Sequence, residues 1–99
     1  IMNKDSYHLI LNNKSTIITS KIKKLKKELP ELKYFTNFYI ENYEKNNKFL
    51  LYLNNRHPYP NIYIGYIELL PNNKFKIQID SSTNFKIYNI IKLKIFNKN

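Results

Sequence analysis

Cysteine is absent from the 99 residues, which excludes a disulfide frame, a thiolate zinc site and a cysteine nucleophile. His8 and His57 are the only histidines, too few and too far apart along the chain for a metal centre. Arg56 is the only arginine. Bidentate readout of guanine is therefore largely closed to this chain, and lysine acts as a point charge on phosphate. Alanine, valine and tryptophan are missing, and Gly65 is the only glycine. No apolar run approaches the roughly 18 residues that a membrane-spanning helix needs, so no membrane partner is expected. Residues 1–11 carry neither the apolar core of a signal peptide nor the Arg-rich character of a transit peptide. No nucleophile with its base, no carboxylate pair at working spacing and no phosphate loop can be assembled from these residues. The expectation is a protein that is not an enzyme, with no cofactor, no metal and no small-molecule substrate.

What is present is basic and rich in A/T-coded residues. Lys and Arg number 17 against 7 Asp and Glu, a formal charge of +10 that calls for an anionic partner, nucleic acid above all. Ile, Asn, Lys, Tyr and Phe make up most of the chain. Their codons are the richest in A and T, which points to an extremely AT-biased genome. An organelle, a reduced parasite or symbiont, or a virus fits, and the same bias accounts for part of the lysine excess.

Along the chain the pattern is α+β, without repeats. Tyr7 to Leu11 is a short apolar run that suits a helical turn or a strand. Thr19 or Ser20 can cap a helix through Leu29, with Ile22, Leu25 and Leu29 at helical spacing, lysines on the other arc, and Pro30 as its stop. Tyr34 to Tyr43 and Phe49 to Leu53 read as strands joined by the turn Glu44-Lys45-Asn46-Asn47. Pro58 and Pro60 make 54–61 a linker, dividing an α/β lobe (1–55) from a β-rich lobe (56–99). Ile62 to Leu69, Lys74 to Asp80 and Phe85 to Phe96 are strand-like. Ser81, Ser82 and Thr83 follow an Ile-x-Ile strand as a compact row of hydroxyls, suited to nucleic-acid backbone; a plain hairpin turn is the simpler reading of the same residues. Tyr7, Tyr39, Tyr43, Tyr52 and Tyr66 are assigned to core or sheet packing.

The order of these features resembles the universal small-subunit ribosomal protein eight family in its bacterial and organellar form. Ser20-Lys21-Ile22-Lys23 is similar to that family's helix start, and Phe38-Tyr39-Ile40-Glu41-Asn42-Tyr43 to its hairpin strand. His57-Pro58 with Ile62-Tyr63-Ile64 matches its linker and following strand, Glu68-Leu69-Leu70-Pro71 its Glu-Leu-Pro step, and Ile77-Gln78-Ile79-Asp80-Ser81-Ser82-Thr83 its hydroxyl-ended strand. The family's linker glycine falls at Tyr59, and the glycine after its hydroxyls at Phe85.

The resemblance implies a structural constituent of the small ribosomal subunit, bound to small-subunit ribosomal RNA and to neighbouring small-subunit proteins, here in a mitochondrial ribosome and organelle-encoded. The cytoplasm of an AT-rich bacterium or a virus's host cell is the alternative location. The implied RNA-binding residues are Asn12, Lys14, Ser20, Lys21 and Lys24 in the first lobe and Ser81, Ser82, Thr83, Asn84 and Lys86 in the second, with Tyr59 and Tyr63 stacking or hydrogen-bonding nearby. Hydroxyls suit an RNA minor groove because each both donates to phosphate or base edges and accepts from a ribose 2′-hydroxyl. A different class, a small viral or mobile-element protein that inhibits a nucleic-acid-processing complex, fits the length and composition but not the charge, since such mimics usually run acidic.

Overall fold

The computed structural model describes residues 3–96. They form α1 (Lys4–Lys23), a 3-10 turn (Pro30–Leu32), β1 (Phe35–Tyr43), β2 (Lys48–Asn55), β3 (Ile62–Leu70), β4 (Lys74–Ile79) and α2 (Phe85–Phe96), an α+β chain.

Helix α1 begins well before the predicted start. The Asn3 side chain accepts from Ser6 N at 2.8 Å, and Asp5 sits in the first turn at the positive end of the helix dipole. Leu11, Ile18 and Ile22 are buried, with Tyr7 and Leu25 packed beside them, a spacing that only a helix through the whole segment brings to one face. Thr19 and Ser20 are thus interior positions rather than caps, and the Thr19 hydroxyl instead accepts from Phe38 N at 2.9 Å. The helix does not continue to Leu29. It gives way after Lys23 to successive turns, and Pro30 opens the 3-10 turn, where its missing N–H costs nothing.

The four strands form one antiparallel sheet in the order β1-β2-β3-β4. Both helices cover the same face: α1 packs on β1 and on α2, and Phe38, Ile40, Phe49, Leu51 and Ile67 are buried with the helical Ile18, Ile22, Ile87 and Ile91. Phe85 to Phe96, strand-like in sequence, is a helix. Ile and Phe favour strands, but Ile87, Ile91 and Ile95 recur every fourth residue and all are buried, which decides for the helix. The predicted linker is the β2–β3 connection. Leu53 pairs with Ile62 directly across it, so residues before and after 54–61 share one sheet and one core.

With one glycine in the chain, asparagine takes the left-handed positions of the tight turns. Asn46 and Asn47 (φ 60° and 49°) close β1–β2, and Asn72 and Asn73 (φ 66° and 60°) close β3–β4. Gly65 is needed where it stands: its φ is 149°, and a Cβ there would overlap the Gln78 carbonyl oxygen and lie 2.9 Å from Ile79 Cα.

Candidate nucleic-acid interface

The strand register brings four segments to one end of the sheet. Phe35 pairs with Asn55, Leu53 with Ile62 and Gly65 with Ile79, so the start of β1, the end of β2, the start of β3 and the end of β4 lie together. The segment after α1 is tied to the same end, because Lys26 Nζ donates to Phe35 O at 3.0 Å. The start of α2 joins it through the Lys86–Glu28 ion pair and a 3.5 Å hydrogen bond from Asn84 to Glu31. This end therefore carries Lys21, Lys24, Lys27, Lys33 and Arg56, all exposed, against Glu28, Glu31 and Asp80. Lys86–Glu28 is the only ion pair among the described residues.

The β2–β3 connection presents its own basic and aromatic cluster here. The Tyr34 and Tyr59 rings stack at 3.6 Å, 8° from parallel, with the Arg56 guanidinium 5.4 Å and the Lys33 ammonium 5.5 Å from the Tyr34 ring. Asn55 and Asn61 brace the loop, Asn55 N donating to Asn61 Oδ1 at 2.9 Å and Asn55 Nδ2 to Pro60 O at 2.8 Å.

Ser81–Asn84 is not a hairpin turn. It is the lead-in to α2. Asp80 Oδ1 accepts from Ser82 N and Ser82 Oγ, each at 3.0 Å, and the hydrogen bonds from Ser82 hold the Asp80 carboxyl below its ordinary value. Asn84 caps α2 by accepting from Lys86 N at 2.9 Å. Ser81 and Ser82 are exposed, whereas the Thr83 hydroxyl oxygen is buried without a hydrogen-bond partner. Ser82, Thr83 and Asn84 share a crevice of about 90 Å³ with Tyr63, Asp80 and Ile87.

The residues predicted for RNA binding thus separate into groups. Ser20, Lys21 and Lys24 lie at the end of α1, and the segment that follows is joined to Asn84 and Lys86 through Glu31 and Glu28. Asn12 lies near the middle of α1, away from them. Lys14 is turned inward: its ammonium donates to Ile95 O at 3.0 Å in the last turn of α2, and burial lowers its pKa. It works as a clasp between the helices. Lys86 is engaged by Glu28.

The face of the sheet away from the helices joins Tyr39 and Tyr52, assigned in the sequence to packing, with Tyr63, expected to stack or hydrogen-bond near RNA. Tyr39, Tyr52 and Tyr63 are register partners on β1, β2 and β3, with ring centroids 6.4 and 5.6 Å apart. They alternate with buried Phe38, Ile40, Leu51 and Leu53, so they point to the opposite face, and Tyr39 and Tyr63 are 44% and 48% exposed. One row on, Tyr66 carries the Lys48 ammonium 4.3 Å from its ring. Burial, with Tyr52, Tyr66 and Asp80 nearby, pushes the Tyr63 phenol up and keeps it a donor. The odd–even parity of Tyr39 against Phe38 and Ile40, and of Tyr52 against Leu51 and Leu53, was the signal that could have revealed this row.

No family model, curated protein or solved structure matches the chain. Among the described residues no three His, Asp or Glu side chains are placed to hold a metal ion, and no helix is long and apolar enough to cross a membrane. What the arrangement offers chemically is exposed ammonium groups, one guanidinium, hydroxyl donors and aromatic rings, a set suited to backbone phosphate, ribose and base.

Proposed function

We propose that this protein is a non-catalytic RNA-binding protein, a structural constituent of a small ribosomal subunit that stabilises the RNA it contacts. The observation that carries the proposal is the basic end. Lys21, Lys24, Lys27, Lys33 and Arg56 stand exposed there, and none of them is in an ion pair among the described residues, so their charge is left for an external polyanion. At the same end exposed Ser81 adds a donor for phosphate, and Ser82 Oγ, whose hydrogen goes to Asp80, adds an acceptor for a ribose hydroxyl. The ribosomal placement rests on the ordered landmarks. Four of them fall on successive parts of the sheet and the turn after it, while Ser20–Lys23 ends a helix instead of starting one.

Two measurements test this. The tagged chain, isolated from its own cells, is expected to sediment with small-subunit RNA; finding it only in the free pool overturns the ribosomal placement. The purified chain is expected to bind an RNA hairpin with affinity that falls as salt rises. Replacing Lys21, Lys24 and Arg56 by Gln should flatten that salt slope by about 0.7–0.9 per residue that touches phosphate. An unchanged slope would show that the basic end does not meet the RNA.

A further inference from the structure

We infer that the open face of the sheet is a stacking platform for a single-stranded RNA segment, whose bases lie on Tyr39, Tyr52 and Tyr63 while its backbone passes the basic end. The inference rests on the RNA-binding reading and specifies which form of RNA the sheet takes.

Three observations converge on it. First, the rings stand on three neighbouring strands in one register row, so a strand crossing the sheet meets them in succession. Cross-strand tyrosines also stabilise a sheet, but packing alone does not require two of the three to leave nearly half their surface in solvent. Second, cations stand on both sides of the row: Lys48 over Tyr66 on one side, where Glu41 and Glu68 share the face, and Arg56 and Lys33 around the Tyr34–Tyr59 stack on the other. Base stacking with cations along the backbone is how proteins hold single strands irrespective of sequence. Third, Tyr63 belongs both to the row and to the crevice lined by Ser82, Thr83 and Asn84. The hydroxyl turn, with Ser81 and Ser82 exposed, therefore lies where the backbone of a base stacked on Tyr63 leaves the sheet. A duplex is a poor occupant, because its bases are already stacked on each other and withheld from the rings. The net charge of +10 favours a polyanion over a neutral protein surface or a second copy of this chain.

The test uses the full chain, fluorescently labelled oligo(U) of 12 nucleotides, oligo(dT) of the same length and an RNA hairpin. Because the chain has nine tyrosines and no tryptophan, its intrinsic emission reports on the rings directly. Oligo(U) should quench that emission and the hairpin should not. Tyr39→Ala and Tyr63→Ala should each weaken oligo(U) binding by about five- to a hundred-fold, and leave hairpin binding within about two-fold. Tyr39→Phe and Tyr63→Phe, which keep the ring, should bind oligo(U) nearly as the wild type does. Weaker binding of oligo(dT) than of oligo(U) supports the ribose contact at the hydroxyl turn, and equal binding removes RNA from the proposal in favour of any single strand. If the hairpin binds and oligo(U) neither binds nor quenches, the platform is wrong and the RNA reading survives. If neither RNA binds, both fall. If wild-type protein is a dimer that Tyr39→Ala dissociates, the face is an interface between copies and the proposal is overturned.

Discussion

At the scale of single residues, this composition leaves certain positions with little substitute. Gly65 is the clearest. Alanine there must accept a positive φ and displace the β4 backbone at Gln78 and Ile79, so Gly65→Ala should cost about 3 kcal/mol or more, read from urea unfolding monitored by circular dichroism. A cost below 1 kcal/mol would mean the β3–β4 pairing moves aside freely. Asp80 makes a pH-dependent contribution of opposite character to burial. Its folded pKa lies below the unfolded one, so its hydrogen bonds to Ser82 add stability above the ordinary carboxylate range, lost as pH falls through the folded value. Wild type should therefore lose more stability than Asp80→Asn between pH 5 and pH 2, measured as the difference in their melting temperatures at each pH. Turn residues were legible in the sequence because Asn-Asn pairs between alternating segments leave few other conformations. The roles of Lys14 and Lys86 were not, since an inward lysine and a surface lysine look alike until the partner carbonyl or carboxylate is in place.

At the scale of elements, the strands were readable, an N-terminal helix was expected but α1 was placed only at its end, and α2 was read as strand. β1, β2, β3 and β4 each alternate or carry aromatic and β-branched residues between turn signals, and their observed bounds lie close to the expected ones. Helix α1 was hidden because Tyr7, Leu11, Ile18 and Ile22 are separated by Asn, Ser, Thr and Lys, a stripe that becomes apparent only over five turns. Helix α2 was hidden by its isoleucines, which satisfy a strand and a helix equally until burial shows which of them matter. Two substitutions on α2 separate these readings. Ile91→Ala should cost about 2–5 kcal/mol, whereas Leu93→Ala, at a position 70% exposed, should cost under about 0.5 kcal/mol. Equal losses in chemical denaturation would be the signature of a strand in a two-sided core and not of a helix resting on a sheet.

At the scale of the whole molecule, the charge was visible from the first and its location was not. Sequence alone distributes lysine almost everywhere; the fold concentrates an unneutralised share of it where the strand ends, the α1 exit and the α2 entry meet. The tyrosine row arises in the same way, from residues on three separate strands that only register aligns. The excess of positive charge was therefore legible from composition, while its placement on one surface required the sheet.

The course of the two helices has one further consequence. Helix α1 starts beside Tyr43, to whose carbonyl Lys4 donates, and α2 finishes where Phe96 stacks on Phe75 at 5.0 Å, itself 5.9 Å from Tyr7. Both outer ends of the described chain thus emerge together, behind the sheet and opposite the basic end. Any extension, fusion or solid support attached at either point would hold the molecule by its back, leaving the tyrosine face and the cationic tip pointing away from the anchor.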